Sequence, residues 1–307
     1  MKNGVDLRTH ARVREIVLSP EGRALGARYY DAEGVIQEAR AAVTVIACGG
    51  LGTPRLLLLS PSAAHPNGLA NSSGLVGKNL MVHVQSFASG LFDEPVDGWR
   101  GTWGGTVSTR QFYETDPARD YVRGFIMSGC PGWSALNLAL QLAPWGSGHH
   151  KAFDERINHE ISLYMCGEDL PEETNRVELD WSQLDDFGMP GVRTHHELND
   201  NSRRLGRDMI AHAHRVLEAA GAKSVRDFGL APIWGWHLLG TARMGTDADT
   251  SVTDAFNQAH DVPALFIADS SSMPTSAGVN PSHTIQALAL RCADHIWDRR
   301  RDWSIAG

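Results

Sequence analysis

The chain has 307 residues, 42% of them hydrophobic and 21% charged, with a formal net charge of −8. That is the composition of a soluble globular protein of about two domains, so a disordered or fibrous chain is excluded, and the intermixed charges argue against a nucleic-acid surface. No apolar run approaches the roughly 20 residues of a membrane helix. Met1 to Asp6 has no apolar h-region and is not a signal peptide. Cys48, Cys130, Cys166 and Cys292 form no Cys-x-x-Cys pair, so a zinc ribbon or thioredoxin-like motif is unsupported.

The opening reads as β structure. Val13, Ile16 and Val17 lie among polar residues, and Glu21-Gly22-Arg23 and Ala32-Glu33-Gly34 mark turns. The run from Ala42 to Ala47 is nearly continuously apolar, as in a strand covered on both faces. Cys48 at its end is expected to be buried. A glycine turn then leads into a helix, with Thr53 expected as its N-cap and Pro54 at its first position.

From about Gln85 to Ala231 the composition changes, with most of the tryptophans and glycine-rich loops such as Gly98-Trp99-Arg100-Gly101. This is the natural extent of a separate substrate domain. Within it, Leu205, Met209, Ile210, Ala213, Val216, Leu217 and Ala220 recur at helical spacing between Ser202 and Gly221. A last helix, about 284–299, carries Ile285, Leu288, Ala289, Cys292 and Ile296 on one face, expected to be turned to the core.

The informative segments are Trp236-His237-Leu238-Leu239-Gly240-Thr241-Ala242-Arg243-Met244-Gly245, Ala268-Asp269, and Gly278-Val279-Asn280-Pro281-Ser282-His283-Thr284. A candidate base and an amide are each embedded in small residues that let backbone approach something large and flat. These segments resemble the C-terminal part of the glucose-methanol-choline (GMC) oxidoreductases, FAD enzymes that oxidise alcohols and sugars. Further segments agree in order: Val45 to Ser60, Gly77 to His83, and Asn175 to Leu179. Several ordered matches are a strong signal where one is weak. The family's opening Gly-x-Gly-x-x-Gly turn, which binds the FAD pyrophosphate at a helix N-terminus, is missing from the sequence. The expectation is therefore the C-terminal portion of a longer enzyme, or one half of a split one, and localisation stays unknown.

The resemblance implies an α/β fold with α+β character: an incomplete doubly wound FAD-binding domain (1–84 and 232–307) carrying an inserted substrate domain (85–231) of antiparallel sheet plus helices. It implies His237 as the base that takes the hydroxyl proton and Asn280 as a donor to the developing alkoxide. The alternative is a satisfied core histidine and a turn residue before Pro281. Val13, Ala268, Asp269, Asn280, Pro281, His283 and Thr284 are implied as FAD contacts. For Asp269 an Asx turn or helix cap is equally open, and for His283 a polar position at the start of a helix.

The pairs His149-His150, His195-His196 and His212-x-His214 lack a His-Glu-x-x-His frame and read as loop or exposed helix, so no metal is expected. No Gly-x-Ser-x-Gly elbow points to a serine hydrolase. The implied substrate is an alcohol, sugar or polyol, with the electron acceptor undetermined and a partner chain a candidate source of the missing nucleotide cradle. A different class stays open beside this: a non-catalytic subunit or remnant that binds no FAD alone.

Overall fold

The structure is a computed structural model describing residues 4–98, 107–142, 144–230 and 236–303. Strands β1 (Arg12–Leu18), β2 (Ala24–Tyr30) and β3 (Ile36–Arg40) form an antiparallel meander. Its turns fall at the two glycine sites read from the sequence; Gly22 and Gly34 both take positive φ, where a Cβ is penalised.

Strand β4 (Thr44–Ile46) leads into helix α1 (Gly49–Leu58). The helix begins four residues before the expected cap, so Thr53 and Pro54 lie inside it. Proline is tolerated there because its missing N–H is compensated. The Gly50 carbonyl, which residue 54 would normally meet, accepts a hydrogen bond from the Thr241 hydroxyl at 2.8 Å. Cys48 is exposed rather than buried. Nor is β4 covered on both faces: among the described residues it pairs only with β12 (Leu265–Ile267), in parallel register, and Val45, between half-buried Thr44 and buried Ile46, is 48% exposed.

The middle of the chain builds a second layer. Strands β5 (Val84–Leu91), β6 (Val107–Thr109), β7 (Phe125–Pro131), β8 (Glu160–Gly167) and β11 (Ser224–Asp227) form an antiparallel sheet in the order β11-β5-β8-β7-β6. Two short helices, α2 (Ala135–Asn137) and α3 (His149–Arg156), and a hairpin of β9 (Arg176–Leu184) with β10 (Pro190–His195) interrupt it. Helix α4 (Asp200–Ala219) starts where the Asn199 side chain accepts the Ser202 N–H, an N-cap. It lays Leu205, Met209, Ala213 and Leu217 against Val84, Ala88, Phe125 and Met165 of the sheet. Full burial of each of the leucine, methionine, valine and phenylalanine side chains contributes about 1.5–3 kcal/mol. Val216 and Ala220 of the same periodic set face outward. The glycine-rich stretch at Trp99, Arg100 and Gly101 lies outside the described residues.

A separate core joins the meander to the parallel pair through Ile16, Ala24, Ile46, Leu57, Ala242, Leu265 and Ile267. Helix α5 (Ser282–Asp298) closes the chain near its expected span, but of its apolar stripe only Cys292 is buried. Leu290 and Trp297 on its other side are 67% and 66% exposed. No helix among the described residues is long and apolar enough to cross a membrane.

Candidate active site

The two motif segments meet because of close backbone approaches that only glycine permits. A Cβ on Gly50 would sit 2.4 Å from the Leu238 carbonyl oxygen, and one on Gly240 would sit 2.2 Å from that of Asn79. Met81 and Leu239 then exchange two backbone hydrogen bonds of 3.0 Å in an antiparallel bridge. Two residues along the same register come His83 on one side and His237 on the other. Their rings meet edge to face, 4.9 Å between centroids, with Nδ1 to Nδ1 at 2.9 Å.

His83 is almost fully buried and bonded on both nitrogens. Its Nε2 lies 2.9 Å from the Ser276 carbonyl oxygen, and its Nδ1 lies 3.2 Å from Cys166 Sγ as well as facing His237. Burial pushes its pKa down to about 4, the His237 ring lowering it further and the Ser276 carbonyl opposing the shift. His237 is half-buried, and burial lowers its pKa below the ordinary histidine value. Cys166 is buried and its thiol is pushed up to about 12, so it stays protonated.

Ligand atoms of His83, Cys166 and His237 lie within 4.8 Å of one another. The closest approaches are hydrogen-bond separations, however. Tetrahedral zinc with its usual bond lengths would hold N and S ligand atoms about 3.3–3.6 Å apart. The cluster reads as a hydrogen-bonded network.

Asp169 braces this network from below. Its carboxylate accepts from Val82 N–H at 3.3 Å, from the Ser202 hydroxyl at 3.0 Å and pairs with His196 Nε2 at 2.7 Å. Its backbone exchanges two 3.0 Å hydrogen bonds with the Ser276 hydroxyl. His196 lies in the irregular segment after β10, as expected, but it is largely buried and bonded to a carboxylate, because Asp169 at 1% exposure needs hydrogen-bond donors. The other members of the histidine pairs that bond to carboxylates are partly exposed: His195 to Glu178, His212 to Asp208 and His214 to Asp227.

Asp269 follows β12 beside the start of α1. One oxygen accepts from Gly49 N–H at 3.0 Å and the Thr53 hydroxyl at 2.6 Å; the other caps the short 3-10 turn Ser270–Ser272 through Ser271. A negative charge therefore already occupies the N-terminus of α1. Ala268 donates its N–H to Ile46, at the C-terminal ends of the parallel pair. Val13 is an exposed position of β1, paired with Tyr29.

Asn280, His283 and Thr284 are exposed and Pro281 is buried, all at the head of α5, which has no side-chain cap. Gly278 packs so close to the start of β7 that a Cβ would lie 2.8 Å from the carbonyl of Gly124, the residue before the strand. Three non-glycine residues around the junction, Asn79, His83 and Ala277, hold left-handed backbone. Such conformations cost about 1–3 kcal/mol each and concentrate at functional sites.

The sequence reading singled out neither His83, Cys166, Asp169 nor Ser276. His83 ends a segment that resembles the family, but only the Met81–Leu239 pairing shows that it faces His237.

Residues 1–85 and 171–289 match the N-terminal and C-terminal models of the GMC oxidoreductase family. The chain belongs to the GMC oxidoreductases. It is 42% identical to 2-methyl-1,2-propanediol dehydrogenase of Mycolicibacterium austroafricanum, over 97% of this chain and 55% of that protein. It is 29% identical to the fructose dehydrogenase large subunit of Gluconobacter japonicus, over 96% of this chain and 54% of that one. Among solved structures, formate oxidase of Aspergillus oryzae superposes with a TM-score of 0.68 at 16% identity, covering 96% of this chain and 61% of that one. The chain thus spans about half the length of the curated relatives it matches. FAD is the cofactor of this family. The donor set fits its reactive edge: an imidazole whose neutral form burial favours, at the junction, and the first N–H groups of α5, which carry no side-chain cap.

Proposed function

We propose that the chain carries the catalytic portion of an FAD-dependent oxidoreductase that oxidises a CH–OH group of an alcohol, sugar or polyol. FAD supplies the hydride acceptor. His237 takes the hydroxyl proton, and Asn280 donates a hydrogen bond to the alkoxide that develops. Val13, Ala268, Asp269, Asn280, Pro281, His283 and Thr284 form the cofactor surface, Asp269 through the turn that it caps. The observation that carries the reading is His237: a ring kept neutral by burial and anchored at Nδ1, inside a site built from the family's own segments.

Residues 1–84 and 232–307 form the cofactor side and 85–231 the substrate side, in line with the two separate cores; the junction at 231–232 lies outside the described residues. Relatives named for a vicinal diol and a sugar support a small polyhydroxylated substrate. The single-sided cover of β4 and the bare outer side of α5 support completion of the flavin site by a further segment or a partner chain.

The test is anaerobic bleaching of the visible flavin band of the FAD-loaded protein by diols and polyols. Bleaching by one of them, abolished in His237→Ala, is the expected result. A bound flavin that no hydroxylated compound bleaches would count against the assignment, and no flavin uptake under any pairing would favour a non-catalytic role.

A further inference from the structure

We infer that His83 is the positioning residue of the site: it accepts a hydrogen bond from Nδ1–H of His237 and so fixes the tautomer in which His237 Nε2 is bare and ready to take a proton. The inference deepens the assignment of His237 as base and rests on it.

The chain of donors starts at Ser276. Its carbonyl oxygen can only accept, so His83 Nε2, 2.9 Å away, must carry the hydrogen. A neutral imidazole has one N–H and one lone pair, which leaves His83 Nδ1 an acceptor. His237 Nδ1 sits 2.9 Å from that lone pair. Two lone pairs facing at this distance repel, so His237 Nδ1 carries hydrogen and its Nε2 does not. Among the described residues no side chain or backbone group bonds to His237 Nε2.

Cys166 is the competitor. Its sulfur lies 3.2 Å from the same His83 Nδ1, and a thiol is the weaker donor. Tyr164 and Gln85 donate to that sulfur and lower its otherwise raised pKa, so they hold the sulfur in place and leave its S–H as the weaker of the two donors facing His83 Nδ1. The opposite polarity needs a doubly protonated His83 that donates to His237. Burial disfavours that cation.

The fold maintains this arrangement at some cost. His83 holds a left-handed backbone at φ +71° while buried. The Met81–Leu239 bridge sets the two rings opposite each other, and the Asp169 backbone clamps Ser276, whose carbonyl sets the tautomer of His83. A third group that orients a base recurs in nucleophilic triads, usually as a carboxylate. Here the orienting group is neutral, so it holds the ring of His237 without raising its basicity as a carboxylate would.

Histidine-selective nitrogen NMR of the chain reads the tautomers without turnover or flavin. The expected spectrum has His237 protonated on Nδ1 and His83 on Nε2. In His83→Leu, His237 shifts toward the Nε2–H form, and in the FAD-loaded protein kcat falls at least about tenfold with KM little changed. His83→Asn places a carbonyl oxygen near the lost Nδ1 and tolerates left-handed backbone, so it retains the Nδ1–H form of His237 and restores most of kcat. Cys166→Ala leaves the His237 tautomer as it was. A His237 found protonated on Nε2 in the unmodified chain overturns the inference, as does a tautomer indifferent to His83→Leu. Should the Leu variant not fold, the unmodified chain and His83→Asn still decide. Because tautomers are read without turnover, this result is separate from the fate of His237 as base, which His237→Ala judges alone.

Discussion

The junction of residues 77–83 with 237–241 and the outer side of α5 with β4 are built oppositely. At the junction the side chains of His83, His237 and Cys166 are bonded to one another and Ser276 ties them to Asp169, with the Asn79 amide nitrogen and Gln85 Oε1 the polar atoms left over; glycines admit backbone to contact distance, and strained residues are held in place. Along α5 and β4, the first helical N–H groups have no side-chain cap and large apolar residues stand in solvent. A chain satisfies the polar groups that it buries itself; those left bare along an apolar face mark where something else is to pack. The comparison therefore separates what the chain completes alone from what it leaves to be completed.

The strongest way to break it is to remove the base from the satisfied side. In His237→Ala, kcat of the FAD-loaded protein is expected to fall about 10²–10⁴-fold, the usual contribution of a positioned acid or base. The thermal midpoint stays near that of the parent. Loss of folding together with activity would reduce His237 to a packing residue.

A second effect is electrostatic. His83 titrates at about 4 in the folded chain and near 6.5 when unfolded. Between those values the unfolded state binds more protons, so stability falls as pH drops from 6.5 toward 4 and levels off below. The full contribution is about 3 kcal/mol. The groups facing His83 are His237, Cys166 and Asp169, none of which His83→Asn removes. Urea unfolding across this pH range should show a shallower acid limb in His83→Asn than in the parent. Equal limbs would mean that His83 is not a buried neutral ring.

How much of this was readable in advance follows the same division. Local patterns carried the meander, α4 and the family segments, because glycine turns and helical periodicity are written in neighbouring residues. The start of α1 was misread: Pro54 looks like a first-turn residue until Thr241, far away in sequence, is seen to bond the Gly50 carbonyl. Cys48 and the stripe on α5 looked buried because apolarity signals burial without saying whether the covering surface lies within the chain. His237 was visible through its motif, whereas His83, Ser276 and Asp169 act only through a tertiary register that no spacing encodes. Asp269 was left between two readings, and its carboxylate proves to hold the α1 turn.

Thr241→Val sharpens the boundary on a smaller scale. It removes the hydroxyl from a fully buried site and leaves the Gly50 carbonyl without its partner. The expected loss is about 1–2 kcal/mol, read by urea unfolding. No change would show that the carbonyl finds another donor and that Pro54 needs no compensation.

The smallest effect on stability tests the open side. Leu290 and Trp297 bury little within this chain, so replacing both with serine should change its unfolding free energy by no more than about 0.5 kcal/mol each. If these side chains are where a further segment or partner completes the flavin site, the same double variant should weaken FAD retention by about tenfold or more, since each loses apolar contact made only in the completed form. A variant unchanged in both measurements makes the outer side of α5 ordinary surface, since scattered exposed apolar residues are common. A variant that unfolds shows instead that α5 already relies on those side chains, and the contrast with the junction then fails from the opposite direction.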